Sequence, residues 1–352
     1  MNKSTTIQIV IIVVLLLILA VLIKLTTDEM YMYRREEQMT EKNGMMFGEE
    51  ETQKDTLADD VDGGESITEK AINLNDYNSN FTITEAGEYT LTGEFKNTIL
   101  IDTTEDVILI LKDVNIKNEI TAAIANKGTG NLIIKLADNT INTLSDGGSS
   151  EYDACIYSNG ALTIEGNGTL NVYGNQEEGE GIATETNDIT INSGTINIEC
   201  KDDGINAGGD GGTITINGGK VYIKASGDGI DSNKNLIING GEVYTMGSSL
   251  GGDAGIDTDG GFEINGGEVI ALGSDMLQSP DSSSKQKSVC FNLNTAITSG
   301  TKVTIKNNNE EIITFEAKEN FKTLIISNDK VVSGTYYLYK NGEKTSFTAT
   351  VK

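Results

Sequence analysis

Between Asn131 and Gly273 apolar and polar residues alternate in short runs, and each run stops at a glycine-rich corner. Alternation of period two turns one face of the chain inward, which is the pattern of β-strands. Five phrases align: ALTIEGNGTLNVYG from Ala161, DITINSGTINIEC from Asp188, TITINGGKVYIKA from Thr213, LIINGGEVYTMG from Leu236 and FEINGGEVIALG from Phe262. Each reads as strand, corner, strand; in the third, Ile214 and Ile216 precede Asn217-Gly218-Gly219, and Val221 and Ile223 follow. A phrase that returns at this spacing marks a solenoid. Ile156, Ile182, Ile205, Ile230 and Ile256 each follow a small residue and recur at intervals of 26, 23, 25 and 26. Constant phase with variable length describes stacked coils that accept loop insertions. Strands this short and corners this rich in glycine exclude a helical solenoid, and the Leu-x-x-Leu-x-Leu phrase of leucine-rich repeats is absent. The predicted fold is all-β, a right-handed parallel β-helix.

The same alignment puts Asn192, Asn217, Asn239 and Asn265 at equivalent corners, where side-chain amides can hydrogen-bond up and down a column. Upstream, Phe81 to Ile83, Tyr89 to Leu91, Ile99 to Ile101 and Val107 to Leu111 read as earlier, less regular coils. Downstream, residues 286–352 are strand-rich but lose the phrase, and are expected to cap the helix and shield its strand edges. The expected organisation is an N-terminal membrane anchor at 1–24, an acidic flexible stalk at 25–70, the β-helix at 71–285 and the cap at 286–352. The anchor rests on IQIVIIVVLLLILAVLI from Ile7 to Ile23, close to the ~20 apolar residues that cross a bilayer. A cleaved signal peptide is the rival reading, but no small-x-small site follows the run, and no cysteine near it offers a lipid attachment. Lysine or arginine flanks both ends, so orientation comes from the rest of the chain, which favours an extracellular C-terminal domain on a single-pass anchor.

Composition narrows the chemistry. The chain of 352 residues holds 40 glycines, one proline and no tryptophan, suited to many tight turns. With no histidine, Ser-His catalysis and His-ligated zinc are excluded. Acids outnumber bases 53 to 26, a net charge of −27 that repels nucleic acid and anionic lipid. Cys155, Cys200 and Cys290 show no framework spacing and read as buried thiols. Nothing in the sequence asks for an oligomer, and a monomer is expected.

The acids concentrate at the turns. Glu180, Asp203, Asp228 and Asp253 precede the anchor isoleucines, Asp231 and Asp257 follow two of them, and Asp202 and Asp259 flank the same columns. Coils stacked ~4.8 Å apart would bring like charges together unless a cation sat between them. Calcium, which takes several oxygens at ~2.3–2.6 Å, suits that spacing. The alternative is that Asp-Gly makes good turns and the carboxylates face water.

The phrases DDGINA from Asp202, GDGIDS from Gly227, GGDAGIDTDGGFEINGG from Gly251 and DMLQSPDSSSKQ from Asp275 resemble a family of bacterial extracellular carbohydrate-binding β-helix proteins. The likeness runs from about Ile72 to the C-terminus. It implies a calcium-binding, pectate-lyase-like β-helix that holds cellulose and polygalacturonate without cleaving them. It also implies calcium ligation at Asp203, Asp228 and Asp253, with Asp231 and Asp257. The chain departs from the family at Asp275 and Leu277, where Gly and Ala are expected.

An enzyme on this scaffold is argued down by what is missing. A lyase needs a base beside the substrate carboxylate, and the only arginines, Arg34 and Arg35, lie in the expected stalk. Lys201, Lys220 and Lys224 leave a lysine-based lyase open. Asp202 and Asp203 form a hydrolase-like acid pair, but its accompanying His and Arg-x-Lys are absent. Binding needs less: Tyr222 and Tyr244 fall at equivalent outward positions, with Tyr173 one position out of phase, and Lys224 lies beside them. These rings are candidates for stacking on a sugar, or ordinary outward strand residues. A surface adhesin with purely structural calcium is the third class.

Overall fold

The corner Asn217-Gly218-Gly219 turns the chain because Gly219 holds φ at +84°, a left-handed conformation that side chains resist. A Cβ there would also stand 2.6 Å from the Gly194 carbonyl of the coil below. The strands on either side, Ile214–Ile216 and Lys220–Lys224, alternate buried and outward residues as the sequence pattern requires. A computed structural model describes residues 69–148, 152–209 and 212–351.

A typical coil contributes one strand to an eight-stranded parallel sheet and two to a larger seventeen-stranded sheet: Ile205–Ala207, then Ile214–Ile216, then Lys220–Lys224. The result is an all-β parallel solenoid whose helical content among the described residues is one 3₁₀ turn, Leu74–Asp76. Ile156, Ile182, Ile205, Ile230 and Ile256 pair in one register, so constant phase in sequence becomes a column in space. A second column runs Ile189, Ile214, Leu236 and Phe262, and a third Ile196, Val221, Val243 and Val269. All are at least 98% buried and belong to one continuous core. Each fully buried aliphatic side chain contributes about 1.5–3 kcal/mol.

The asparagine column forms as expected. Asn217 donates to Asn192 at 2.9 Å, Asn239 to Asn217 at 2.9 Å and Asn265 to Asn239 at 3.1 Å. Earlier coils lie where the weaker alternation put them, at Phe81–Ile83, Gly87–Phe95, Ile99–Ile101 and Val107–Lys117. A strand the sequence did not show, Glu69–Asn73, starts within the expected stalk. It has little alternation of its own and is fixed by parallel pairing with Gly87–Phe95.

At the far end the last parallel strand, Glu268–Gly273, is covered by Phe321–Ser327, which runs antiparallel and pairs in turn with Ser288–Ile297. A four-stranded antiparallel sheet follows, in the order Glu310–Glu316, Lys302–Asn307, Gly334–Lys340 and Glu343–Val351. It shares a second core in which Phe291, Phe321 and Tyr336 are almost fully buried. Cys155 and Cys200 are buried free thiols and Cys290 is half-buried. The apolar run at 7–23 and the stalk up to residue 68 lie outside the described residues; among the described residues no helix is long and apolar enough to cross a membrane.

Candidate functional site

Register sorts the acidic turns into columns that the sequence alone did not separate. Two residues before each anchor isoleucine stand Ala154, Glu180, Asp203, Asp228 and Ala254, so three successive coils carry a carboxyl flanked by alanines. One residue after the isoleucines stand Asn206, Asp231 and Asp257, paired in register. Asp253 does not join the Asp203 and Asp228 column, as the alignment expected. Ala254 is inserted between it and Gly255, which moves Asp253 three residues from Ile256 and into line with Asp202 and Asp153. In that third column Gly179 and Gly227 separate the acids, so Asp153, Asp202 and Asp253 stand on alternate coils. Gly227 leaves a hollow: a Cβ there would collide with the Asp203 carboxylate and stand 2.6 Å from Asp202 Oδ1. Asp259 is exposed at the rim.

Part of this arrangement is structural. Asp203 Oδ1 accepts from the Asp228 amide at 2.6 Å, and Asp228 Oδ1 accepts from the Ala254 amide at 2.5 Å, tying each coil to the next. Asp106 and Asp188 do the same elsewhere, accepting from the Asn131 and Thr213 amides at 3.0 and 2.7 Å. Only one oxygen of each carboxylate is spent in this way.

What remains unmet is the charge. No lysine among the described residues forms an ion pair with Glu180, Asp202, Asp203, Asp228, Asp231, Asp253, Asp257 or Asp259. Burial, then the carboxylates of Asp153 and Asp203, push the Glu180 carboxyl up to about 9. Burial raises Asp203 and Asp228 to about 7 and Asp231 to about 6, with neighbouring carboxylates adding to the effect. Asp202 is raised by burial and then by Glu178. Glu180 is 8% exposed; Asn206 donates to its Oε1 at 2.9 Å, while Glu180 Oε2 and Asn206 Oδ1 have no hydrogen-bond partner. Both residues line a polar depression of about 290 Å³ that also includes Asp153 and Asp231. Two unpartnered oxygens on residues that line a hollow among carboxyls fit a hard cation. Among the described residues no three carboxyl or thiol groups are gathered closely enough to hold a metal by themselves, so amide, carbonyl or water oxygens would complete any shell. Asp153, which the sequence reading missed, was detectable only by counting back three residues from Ile156.

The four residues read as sugar contacts come together. Tyr173, Tyr222, Tyr244 and Lys224 line one groove of about 230 Å³, with Lys318 of the cap. Tyr222 pairs with Tyr244 on the next coil, and Tyr173 lies in the column of Glu199 and Lys224, as the phase difference required. Tyr173 and Tyr222 are 40% and 39% exposed. Tyr244 is not a free outward ring: it stands edge-on to Phe315 of the cap at 6.1 Å, and burial raises its hydroxyl to about 12. Lys224 bridges Glu199 at 3.2 Å and Glu319 of the cap at 3.1 Å. Lys220 is likewise held by Glu242 at 2.9 Å. The cap residues Phe315, Lys318 and Glu319 were missed because they lie 71 to 146 positions further along the chain than the tyrosines of the groove.

A model of the family described as carbohydrate-binding domain-containing protein matches residues 77–336. The chain belongs to this carbohydrate-binding family. A curated relative of the same description, from Acetivibrio thermocellus, is 35% identical over 153 residues, covering 40% of this chain and 49% of the relative. The chain thus aligns with about half the length of that relative. Among solved structures, the polysaccharide lyase-like protein from C. thermocellum, a gadolinium derivative, is 28% identical and covers 64% of this chain and 93% of its own, with a TM-score of 0.43. The family match spans both the acidic columns and the tyrosine groove. Asp275, one of the departures noted in the sequence, binds Lys322 of the cap at 2.6 Å.

Proposed function

We propose that this member of the family binds a polysaccharide without cleaving it, in the groove formed by Tyr173, Tyr222 and Tyr244 against the cap, and that it does so with calcium in the neighbouring acidic columns. The observation that carries the reading is the groove: two half-open aromatic faces on a rigid parallel sheet, flanked by amide and charged side chains, suit stacking on sugar rings and hydrogen bonding to hydroxyls. Catalysis is not favoured, because Lys220 and Lys224 are tied to carboxylates and no base in the groove is free of an ion pair except Lys201 in the adjoining depression. Lys201 keeps a lysine-based lyase as the second reading.

Calcium would be held by no more than two carboxyls at a time from Glu180, Asp203, Asp228, Asp231 and Asp257, with the Asn206 amide oxygen, backbone carbonyls or water completing the shell and Asp202, Asp253 and Asp259 flanking. It would supply the positive charge these carboxyls lack and, at the rim, a bridge to a uronate. Residues 69–285 hold 34 acids against 11 lysines, so the solenoid repels a polyuronate unless a divalent cation intervenes. A neutral glucan meets no such barrier. We place the domain as a monomer outside the cell membrane, wound right-handed as parallel crossovers are, with residues 7–23 as its anchor.

The deciding experiment incubates the protein with polygalacturonate and with cellulose, each with calcium or with excess chelator. Pull-down and the release of unsaturated ends are both scored. Calcium-dependent binding without release, lost on Tyr173→Ala/Tyr222→Ala, is expected. Release would make the protein a lyase, and retention by neither polymer would leave an adhesin with structural calcium.

A further inference from the structure

We propose that the outward face of the C-terminal four-stranded sheet is a second glycan site, which takes carboxylated polysaccharide directly and without a metal. It rests on the family's carbohydrate binding but not on the groove, and much of it lies beyond the family match. Tyr337, Tyr339 and Lys344 all follow residue 336, where that match ends.

On the strand Gly334–Lys340, Tyr336 and Leu338 are fully buried against the second core, so Tyr337 and Tyr339 point to the opposite, solvent side. Register places Lys306 directly beside Tyr337 on one neighbouring strand and Lys344 beside Tyr339 on the other. The ammonium groups reach diagonally: Lys344 Nζ lies 3.4 Å from the Tyr337 ring centroid and Lys306 Nζ lies 5.1 Å from that of Tyr339. Two cations therefore rest on two rings of one sheet face.

In a chain with twice as many acids as bases, neither lysine has a carboxylate partner among the described residues. On the adjoining strand Glu316 pairs with Lys318 at 2.9 Å, and Glu311, beside Lys306 in register, accepts from Thr314 at 2.9 Å without an ion pair to Lys306. Charge follows the same division. Residues 286–352 carry 9 lysines against 6 acids, the reverse of the solenoid.

Tyr337 and Tyr339 are half-buried, and an ammonium on a ring at the surface is weakly held and moves to a carboxylate when one arrives. The ring face it leaves is then open to the pyranose that carries the carboxylate. Charge complementarity selects an anionic ligand, and the two rings select a sugar over other polyanions.

The test uses the full chain in excess chelator, with polygalacturonate as the probe and its fully methyl-esterified form as control. Chelator-resistant binding that weakens with salt is expected, at least tenfold tighter than to the ester. Lys306→Gln/Lys344→Gln and Tyr337→Ala/Tyr339→Ala should each lower it tenfold or more with the melting temperature unchanged. Lys306→Arg/Lys344→Arg should retain it. Loss of all polygalacturonate binding in chelator overturns the proposal and leaves the calcium-dependent groove standing. Chelator-resistant binding that survives either disabling pair overturns it too, and binding that the tyrosine pair leaves intact marks a simple counterion patch.

Discussion

Single positions carry the constraints that make this chain wind. Gly219 combines a positive φ with a 2.6 Å approach to the Gly194 carbonyl, so Gly219→Ala strains the backbone and the contact together. A loss of about 1–2 kcal/mol or more is expected from urea unfolding. The acidic column makes an opposite kind of prediction. A carboxyl raised in the folded state binds its proton more tightly there than in the unfolded chain, so its stabilising contribution is full below the unfolded value near ~4 and is lost as pH rises. In chelator the melting temperature should therefore fall as pH rises through 6 and 7, where Asp231, Asp203 and Asp228 ionise, and further toward 9 with Glu180. A melting temperature that is flat or rising over this range would contradict the desolvated column. Asp203→Asn keeps an acceptor for the Asp228 amide while removing a charge, and should raise chelated stability at pH 8 by roughly 1–2 kcal/mol. If the column holds calcium, the same change should shrink the stabilisation that added calcium gives.

At the scale of strands and corners, two kinds of column hold the coils together, and they differ in depth. The aliphatic columns are dry: Ile216 is fully buried, and Ile216→Ala should cost about 2–5 kcal/mol through the cavity it leaves. The asparagine column is exposed, and water replaces its bonds when a member is lost. Asn217→Ala should cost no more than about 1 kcal/mol. Equal losses from the two variants in the same urea titration would mean that the amide ladder, not the core, sets the stacking. Both columns were legible in the sequence because each coil repeats the same local instructions, alternation and then an Asn-Gly-Gly corner. The site was legible only in part. Tyr222 and Tyr244 align through that repeat, yet the covering of Tyr244 by Phe315 depends on a strand with no repeat in it.

On the scale of the molecule, a solenoid must end its sheets without inviting a neighbour. Phe321–Ser327 does this by pairing antiparallel with Glu268–Gly273, and Leu324 and Ile326 complete the second core. Removing residues 288–352 would expose both that strand edge and the apolar residues Met246, Ile270 and Leu272 that the cap covers. The truncated protein should self-associate, and light scattering on a sizing column would detect it; a stable monomer would show that the cap is dispensable for closure. The cap also divides the charge of the chain, since the acids crowd the coils whereas residues 286–352 carry 9 lysines against 6 acids.

The sequence by itself determined the solenoid, its strands and its columns, because these follow from short-range alternation and from corners only glycine can turn. It also excluded histidine-based catalysis and histidine ligation of a metal, since no histidine is present. Tertiary structure alone decided the neighbours. Pairing of Ile256 with Ile230 made the inserted Ala254 a shift in register that moves Asp253 out of the Asp203 column, where the sequence left the extra residue free to be looped out. The cap gave the groove Lys318 and gave Lys224 its partner Glu319, both brought to the solenoid by the folding of a segment that repeats nothing. A repeat encodes its own stacking in every coil, whereas contacts between a repeat and a non-repeating end are written once, across a long separation, and are fixed only when the whole chain packs.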